Sequence, residues 1–225
     1  AEKNREILKN FYSVLKGNDK YIKFLFITGV SKFSKVSIFS DLNHLDDITL
    51  NKNYATLTGY TEQELDIYFP DYLKLAQDEL KEYFPNVRQE IKNWYNGYSW
   101  NGVDFVYNPF SLLGFFTNLK FDGYWYQTGT PTFLMNLIKK RNYPVMDYEN
   151  IEVQSDIFNK YELVSLELTA LLFQTGYLTI KSYNPGTGFY KLEFPNKEVA
   201  RAFRTQLLAT LSENSLTENS SLLRK

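Results

Sequence analysis

Apolar and polar residues repeat along this chain with more than one period, and the period sets the expected elements. Over residues 2–16, Ile7, Leu8, Phe11, Tyr12 and Leu15 recur at spacings of three and four, the pattern of an amphipathic helix, with Gly17 as a natural stop. The run from Tyr21 to Ile27 is apolar almost throughout. That continuity suits a strand buried on both faces of a parallel sheet, with a short core helix as the alternative. A helix followed by a buried strand is half of a βαβ unit, and no strand pattern precedes the helix in this sequence. The run Thr28-Gly29-Val30-Ser31-Lys32 then leaves the strand at its C-terminal end, the edge at which open α/β sheets bind ligands.

The helical period dominates the middle of the chain. Residues 46–50 read as a short strand or turn. Thr61 and Glu64 have the spacing of a capping box and predict a helix over 62–69, ended by Pro70. A second helix is expected over 71–84, carrying Leu73, Leu80 and Phe84, and a third over 87–95, closed by Gly97. Trp100-Asn101-Gly102-Val103 is an Asn-Gly hairpin signal between aromatic arms. Asn108-Pro109 is a cap followed by proline at the first helical position, and the helix it opens, 109–117, is apolar on nearly every side. Thr130-Pro131 repeats the device for a helix to about Lys140.

Residues 142–163 carry the weakest pattern and read as an inter-element linker. A helix follows from Ser165 to Gln174, stopped by Gly176. Strands at 177–182 and 188–194 are joined by the turn-rich Tyr183-Asn184-Pro185-Gly186-Thr187. Asn196 caps a final helix to about Leu211, and a polar tail ends the chain. Residues 165–211 thus read helix, hairpin, helix, an order compatible with a winged-helix-like module. The fold class expected is α+β and predominantly α-helical, organised as 1–50, a helical region over 51–141 with a short hairpin, a winged-helix-like module over 142–212, and a frayed tail over 213–225.

Composition narrows the chemistry. Of 225 residues, 17% are aromatic, and 25 basic residues nearly cancel 26 acidic ones, leaving a net charge of -1. So many aromatics exclude disorder of the whole chain, and the charge balance argues against a protein that coats nucleic acid. There is no cysteine and one histidine, His44, so disulfides, thiolate nucleophiles and multi-histidine metal sites are excluded. No apolar run approaches the ~20 residues of a membrane span. The absence of cysteine and of any targeting signal favours the cytoplasm.

His44 has no nucleophile-base set around it and reads as a turn or surface residue. Asp46 and Asp47 are adjacent, and neighbours on a strand point to opposite faces, so a turn or cap role fits better than a metal pair. Trp94, Tyr95, Tyr98, Trp100, Tyr124, Trp125 and Tyr126 could stack on bases, but aromatics at these spacings more often form core and rim. Lys181, Lys191, Lys197, Arg201 and Arg204 lie around the predicted hairpin and are the candidate nucleic-acid contacts; salt-dependent binding needs them to converge. The hairpin tip itself has no basic residue.

Seven stretches carry a resemblance: Phe26-Ile27-Thr28-Gly29-Val30-Ser31-Lys32-Phe33, Asp47-Ile48-Thr49-Leu50, Tyr60-Thr61-Glu62, Trp94-Tyr95-Asn96-Gly97-Tyr98, Tyr107-Asn108-Pro109-Phe110-Ser111, Gln127-Thr128-Gly129-Thr130-Pro131 and Phe173-Gln174-Thr175-Gly176-Tyr177. In this order they resemble the bacterial AAA-ATPase-like family, over roughly residues 2–204. The resemblance implies a P-loop nucleotide-binding core followed by a helical and winged-helix-like region, with a restriction-endonuclease-like domain downstream in many members. Phe194-Pro195-Asn196-Lys197-Glu198-Val199 looks like the run that precedes that domain.

The departure from the family is specific: the P-loop pattern G-x-x-x-x-G-K-[ST] and the acidic strand that would hold magnesium are not found in this sequence. Without the lysine, the backbone nest and the metal carboxylate, phosphoryl transfer loses its main electrostatic contributions. On this reading residues 1–50 are a C-terminal remnant of the P-loop core, a helix plus a buried strand. The resemblance makes Thr28 the nucleotide-sensing residue, its hydroxyl placed to meet the γ-phosphate or the attacking water, with Ser31 and Lys32 completing a polar rim. A turn-capping Thr28 and a solvated Lys32 are the alternatives. ATP and magnesium are expected only with the missing core, no catalytic or metal residue is assigned, and the role expected is nucleotide-dependent and regulatory. The competing expectation is a stand-alone adaptor that binds nucleic acid or protein. The strand 21–27, lacking neighbours, is expected to pair across a chain contact or with a strand of the C-terminal half.

Overall fold

The computed structural model describes residues 2–29, 45–127, 132–140, 150–159 and 168–212. In chain order these form helices α1 (Glu2–Gly17), α2 (Glu62–Tyr68), α3 (Pro70–Leu80), α4 (Val87–Tyr95), α5 (Pro109–Asn118), α6 (Tyr124–Gln127) and α7 (Thr132–Lys140), strand β1 (Ile151–Val153), helix α8 (Leu168–Gln174), strands β2 (Thr179–Asn184) and β3 (Phe189–Glu193), and helix α9 (Lys197–Ser212). Short 3-10 turns lie at Asp19–Tyr21, Lys52–Tyr54 and Ser155–Asn159. The class is α+β and mostly helical. The chain divides into two compact units, one of residues 1–48 with 155–176 and one of residues 49–154 with 177–225.

The first unit contains α1, the segment that follows it, the turn at Ser155–Asn159 and α8. Leu168, Ala170, Leu171 and Leu172 of α8 are buried together with Ile157 and Phe158, and Phe158 meets Phe173 at 4.7 Å between ring centres. The apolar stripe of α1 is on the outside: Ile7, Leu8, Phe11 and Val14 are all exposed. The buried strand expected over 21–27 does not form. Tyr21 closes a 3-10 turn, residues 22–29 have no regular structure, and Phe24 and Phe26 are 80% and 51% exposed. The physical reason is that an apolar run becomes a strand only where a neighbour accepts and donates its backbone hydrogen bonds, and among the described residues no strand pairs with it.

The second unit has its core in α2 to α5. The capping box at its entrance is complete: Glu64 N–H donates to Thr61 Oγ1 at 3.2 Å, and Thr61 N–H donates back to Glu64 Oε2 at 2.8 Å. Pro70 does more than end α2, because it is the first residue of α3, and Phe69 caps both helices. Asn86 caps α4 by accepting from Gln89 N–H, and Val87, Ile91 and Tyr95 bury one face at a spacing of four. Asn108 caps α5 by accepting from Phe110 N–H and Ser111 N–H, as its pairing with Pro109 predicts. Leu65, Ala76, Ile91, Tyr95, Tyr107, Leu112 and Phe115 form the fully buried centre. Phe121 stacks on Phe115 at 4.6 Å and meets Phe84 edge-on at 5.0 Å, closing the aromatic layer.

The Asn-Gly signal at 101–102 makes a turn but no hairpin strands. Asn101 Oδ1 accepts from Val103 N–H and Asp104 N–H, Gly102 takes a φ of 72°, and the two arms of the turn meet in the isolated bridge Tyr98–Val106. The sheet is three-stranded and antiparallel in the order β1-β3-β2, with Ile151 and Ile180 both registered on Leu192. Strand β1 falls in the stretch read as a linker. Residues 46–50 are a turn at Thr49 and Leu50.

Candidate functional site

Three of the motif stretches meet in the second unit around one buried carboxylate. Gly97, just after α4, takes a φ of 112°, and a Cβ there would lie 1.9 Å from the Pro195 carbonyl oxygen. Only glycine admits both the left-handed backbone and that approach. Two residues on, Ser99 N–H donates to Thr179 Oγ1 at 2.7 Å, and the Thr179 hydroxyl donates to the Ser99 carbonyl at 2.9 Å. These contacts bring the Trp94–Tyr98 stretch against Pro195-Asn196-Lys197-Glu198, where α9 begins.

Asn196 caps α9, its Oδ1 accepting from Val199 N–H at 3.1 Å. Glu198, in the first turn, is only 1% exposed. Its Oε1 accepts two hydrogen bonds, from Ser111 Oγ of α5 at 3.0 Å and from Trp125 N–H of α6 at 2.8 Å. Its Oε2 is buried with no hydrogen-bond partner, as are the Tyr98 hydroxyl and Asn196 Nδ2. Burial pushes the Glu198 carboxyl up to about 7, against the lowering pull of the Trp125 and Ser111 donors, and Asp122 nearby adds to the rise. Burial, with the Glu198 charge second, also raises the Tyr98 hydroxyl well above its ordinary range.

Two other carboxylates contrast with it. Burial alone would raise Glu62, but donors from Lys92 and Tyr107, the Lys92 charge and the Arg88 guanidinium at 2.9 Å hold it below its usual value. Burial likewise works against Glu90, yet the Lys197 ammonium at 2.7 Å, Asn93 and the Trp94 indole N–H lower it. Both meet cations. The donors to Glu198, Ser111 Oγ and the Trp125 and Tyr124 N–H groups, are neutral.

Thr28 lies exposed in the first unit, at the end of the irregular segment. Ser31, Lys32 and His44, and with them the polar rim expected around Thr28, lie outside the described residues. Asp46 and Asp47 are exposed ahead of the turn at Thr49. Among the described residues no cluster of three or more His, Asp or Glu is arranged to hold a metal ion.

The five cations occupy two places. Lys197, Arg201 and Arg204 repeat at spacings of four and three along α9, while Lys181 and Lys191 lie on the adjoining strands β2 and β3. Lys191 pairs with Glu193 at 2.8 Å and Lys197 with Glu90 at 2.7 Å. Lys181 lies over Phe105, Arg201 over Trp94 and Arg204 over Phe194, each within 6 Å of the ring centre. The aromatic residues face other rings: Trp94 stacks on Phe121, and Trp125 meets Tyr177 edge-on at 5.1 Å. Glu198 was not legible as a site. Its one sequence signal is Ser111, a small hydroxyl inside the otherwise apolar Phe110–Phe116 stretch.

The fold and site define an α+β, mostly helical protein in which none of the described helices is long and apolar enough to cross a membrane. Residues 1–39 match the model of a family described as predicted AAA-ATPase, so the N-terminal stretch is similar to that family. An uncharacterised protein in the vnfD 5′ region of Azotobacter chroococcum mcd 1 is 41% identical over 211 residues, which cover 92% of this chain and 39% of the relative. The chain therefore spans well under half the length of that relative. No solved structure matches it.

Proposed function

We propose that this chain is the sensor, helical and winged-helix-like portion of an AAA-ATPase-like protein, with a regulatory role driven by nucleotide bound elsewhere in that protein. The observation that carries this reading is the match of residues 1–39, which include α1 and the segment ending in Thr28, to the predicted AAA-ATPase family. The exposed stripe of Ile7, Leu8, Phe11 and Val14, with exposed Phe24 and Phe26, supports it, because such a face gains by being covered. In this reading a nucleotide-binding core covers that face, ATP and magnesium sit on the core, and Thr28 with Ser31 and Lys32 senses the γ-phosphate. Self-association through 21–27 is the competing way to cover the same residues.

The winged-helix-like assignment is part of the proposal. It is supported by the chain order α8, β2, β3, α9, which is helix, hairpin and helix, with the antiparallel pair β2 and β3 as the wing. A nuclease-like domain beyond the Phe194–Val199 run and a cytoplasmic location belong to the same proposal. Binding of labelled ATP, compared between the full-length gene product and this chain, tests it. Binding by the full-length product alone supports the reading. Its absence from both favours the stand-alone adaptor that binds nucleic acid or protein.

A further inference from the structure

We infer that Glu198 is a proton-operated latch: its neutral carboxyl ties α5 and α6 to the start of α9, and its ionisation frees α6 from α9. The inference goes beyond the nucleotide reading and does not depend on it.

The geometry carries it. One oxygen of Glu198 accepts from two helices at once, through Ser111 Oγ and Trp125 N–H, while the other oxygen is buried without a partner. A neutral carboxyl strands one O–H there, a smaller cost than burying a charge. A carboxylate there is a buried charge met only by neutral donors, Ser111 Oγ and the backbone N–H groups of Trp125 and Tyr124, and buried charge without a counter-charge is costly to keep from water. Relief comes from letting water reach Oε2. Helix α6 is the element to be released: it has only four residues, Glu198 holds its start through the Trp125 and Tyr124 N–H groups, and Tyr126 Oη donates to Gln206 Oε1 at 2.6 Å.

The charged and titratable groups around the latch set its direction. Asp122, in the loop before α6, opposes ionisation. The Tyr95 hydroxyl of α4, the Tyr124 hydroxyl of α6 and the Tyr98 hydroxyl are each held neutral in part by the Glu198 charge. On α4, Glu90 takes up Lys197, and Lys92 is bound to Glu62. On α9, Arg201 lies over Trp94. On α7, Lys139 is exposed. The groups that act most on the carboxyl include no cation, so its charge, once formed, is met by neutral hydrogen-bond donors alone.

The test uses the whole 225-residue chain with carbon-13-labelled glutamate, following the Glu198 carboxyl by NMR from pH 5 to 9, together with hydrogen exchange of the Trp125 amide corrected for its intrinsic rate. The expected result is a Glu198 midpoint near neutrality and a fall of at least tenfold in Trp125 protection over the same range. The Glu198→Gln variant, which keeps an acceptor but cannot ionise, is expected to show no such fall. Should that variant not fold, the wild-type titration decides alone. A Glu198 midpoint in the ordinary carboxylate range, or a neutral midpoint with constant Trp125 protection, overturns the latch.

Discussion

Ser111 and Glu198, 87 residues apart in sequence, meet in a buried hydrogen bond of 3.0 Å that joins α5 to the first turn of α9. Ser111 is the one polar side chain among the buried residues of α5, and it is spent on this contact. Replacing it with alanine removes a donor while the acceptor stays buried. Ser111→Ala is expected to lower stability by about 1–3 kcal/mol, the usual cost of stranding a buried acceptor. Urea unfolding of the two proteins measures this; a change near zero would mean that Trp125 N–H alone satisfies the carboxyl.

Glu198 also gives the protein a pH dependence of predictable sign. Its folded value, about 7, lies above its ordinary 4.5, so the folded state holds the proton longer than the unfolded chain. The stabilisation is complete below about 4.5 and is lost as the pH rises through 7. Relative to Glu198→Gln, the wild type is expected to lose about 3 kcal/mol between pH 5 and 8, from the conversion of ~1.4 kcal/mol per unit. Chemical denaturation at several pH values reads the difference. A constant difference between the two proteins would remove Glu198 from the account of pH sensitivity.

Gly97 is the position where a single methyl group does most harm. Its φ of 112° is strained for any other residue, and the Pro195 carbonyl occupies the space. Gly97→Ala is expected to cost roughly 3 kcal/mol or more, combining an unfavourable backbone with a forced shift of the Pro195 segment. Gly123→Ala, where nothing lies closer than 4.0 Å, is the control and should stay within about 1 kcal/mol. Thermal unfolding of both variants checks the pair, and equal losses would contradict the close packing of Gly97 on Pro195.

The cations on α9 already have intramolecular partners, two of them aromatic faces and one a carboxylate. Duplex DNA therefore has to compete for them. The chain is expected to bind DNA weakly, with little change on Lys197→Gln, Arg201→Gln and Arg204→Gln combined. A fluorescence-anisotropy titration over a range of salt reads this. Tight binding with a steep salt slope that the triple variant flattens would favour the adaptor reading instead.

What the sequence makes legible is local chemistry. The box of Thr61 and Glu64 and the Asn108-Pro109 start of α5 form as their residue types dictate, because each is settled within a few positions. Strand β1 escapes notice because three residues carry no period, and only pairing with β3 makes Ile151–Val153 a strand. The run at 21–27 misleads for the opposite reason: its apolar continuity describes the surroundings the segment prefers, and among the described residues those surroundings are missing. Glu198 hides because an acidic residue in a first helical turn is ordinarily a solvated partner of the helix dipole. Its burial follows from Ser111, Trp125 and Gly97 arriving from distant parts of the chain, which no spacing in the sequence announces.

The central claim is that nucleotide chemistry belongs to a P-loop core and that this chain answers to it. Steady-state ATP turnover by the purified 225-residue chain, with magnesium present, tests that claim most directly. The account predicts no turnover above the buffer rate, for the wild type and for Thr28→Ala alike. Turnover by the wild-type chain that Thr28→Ala abolishes would contradict it.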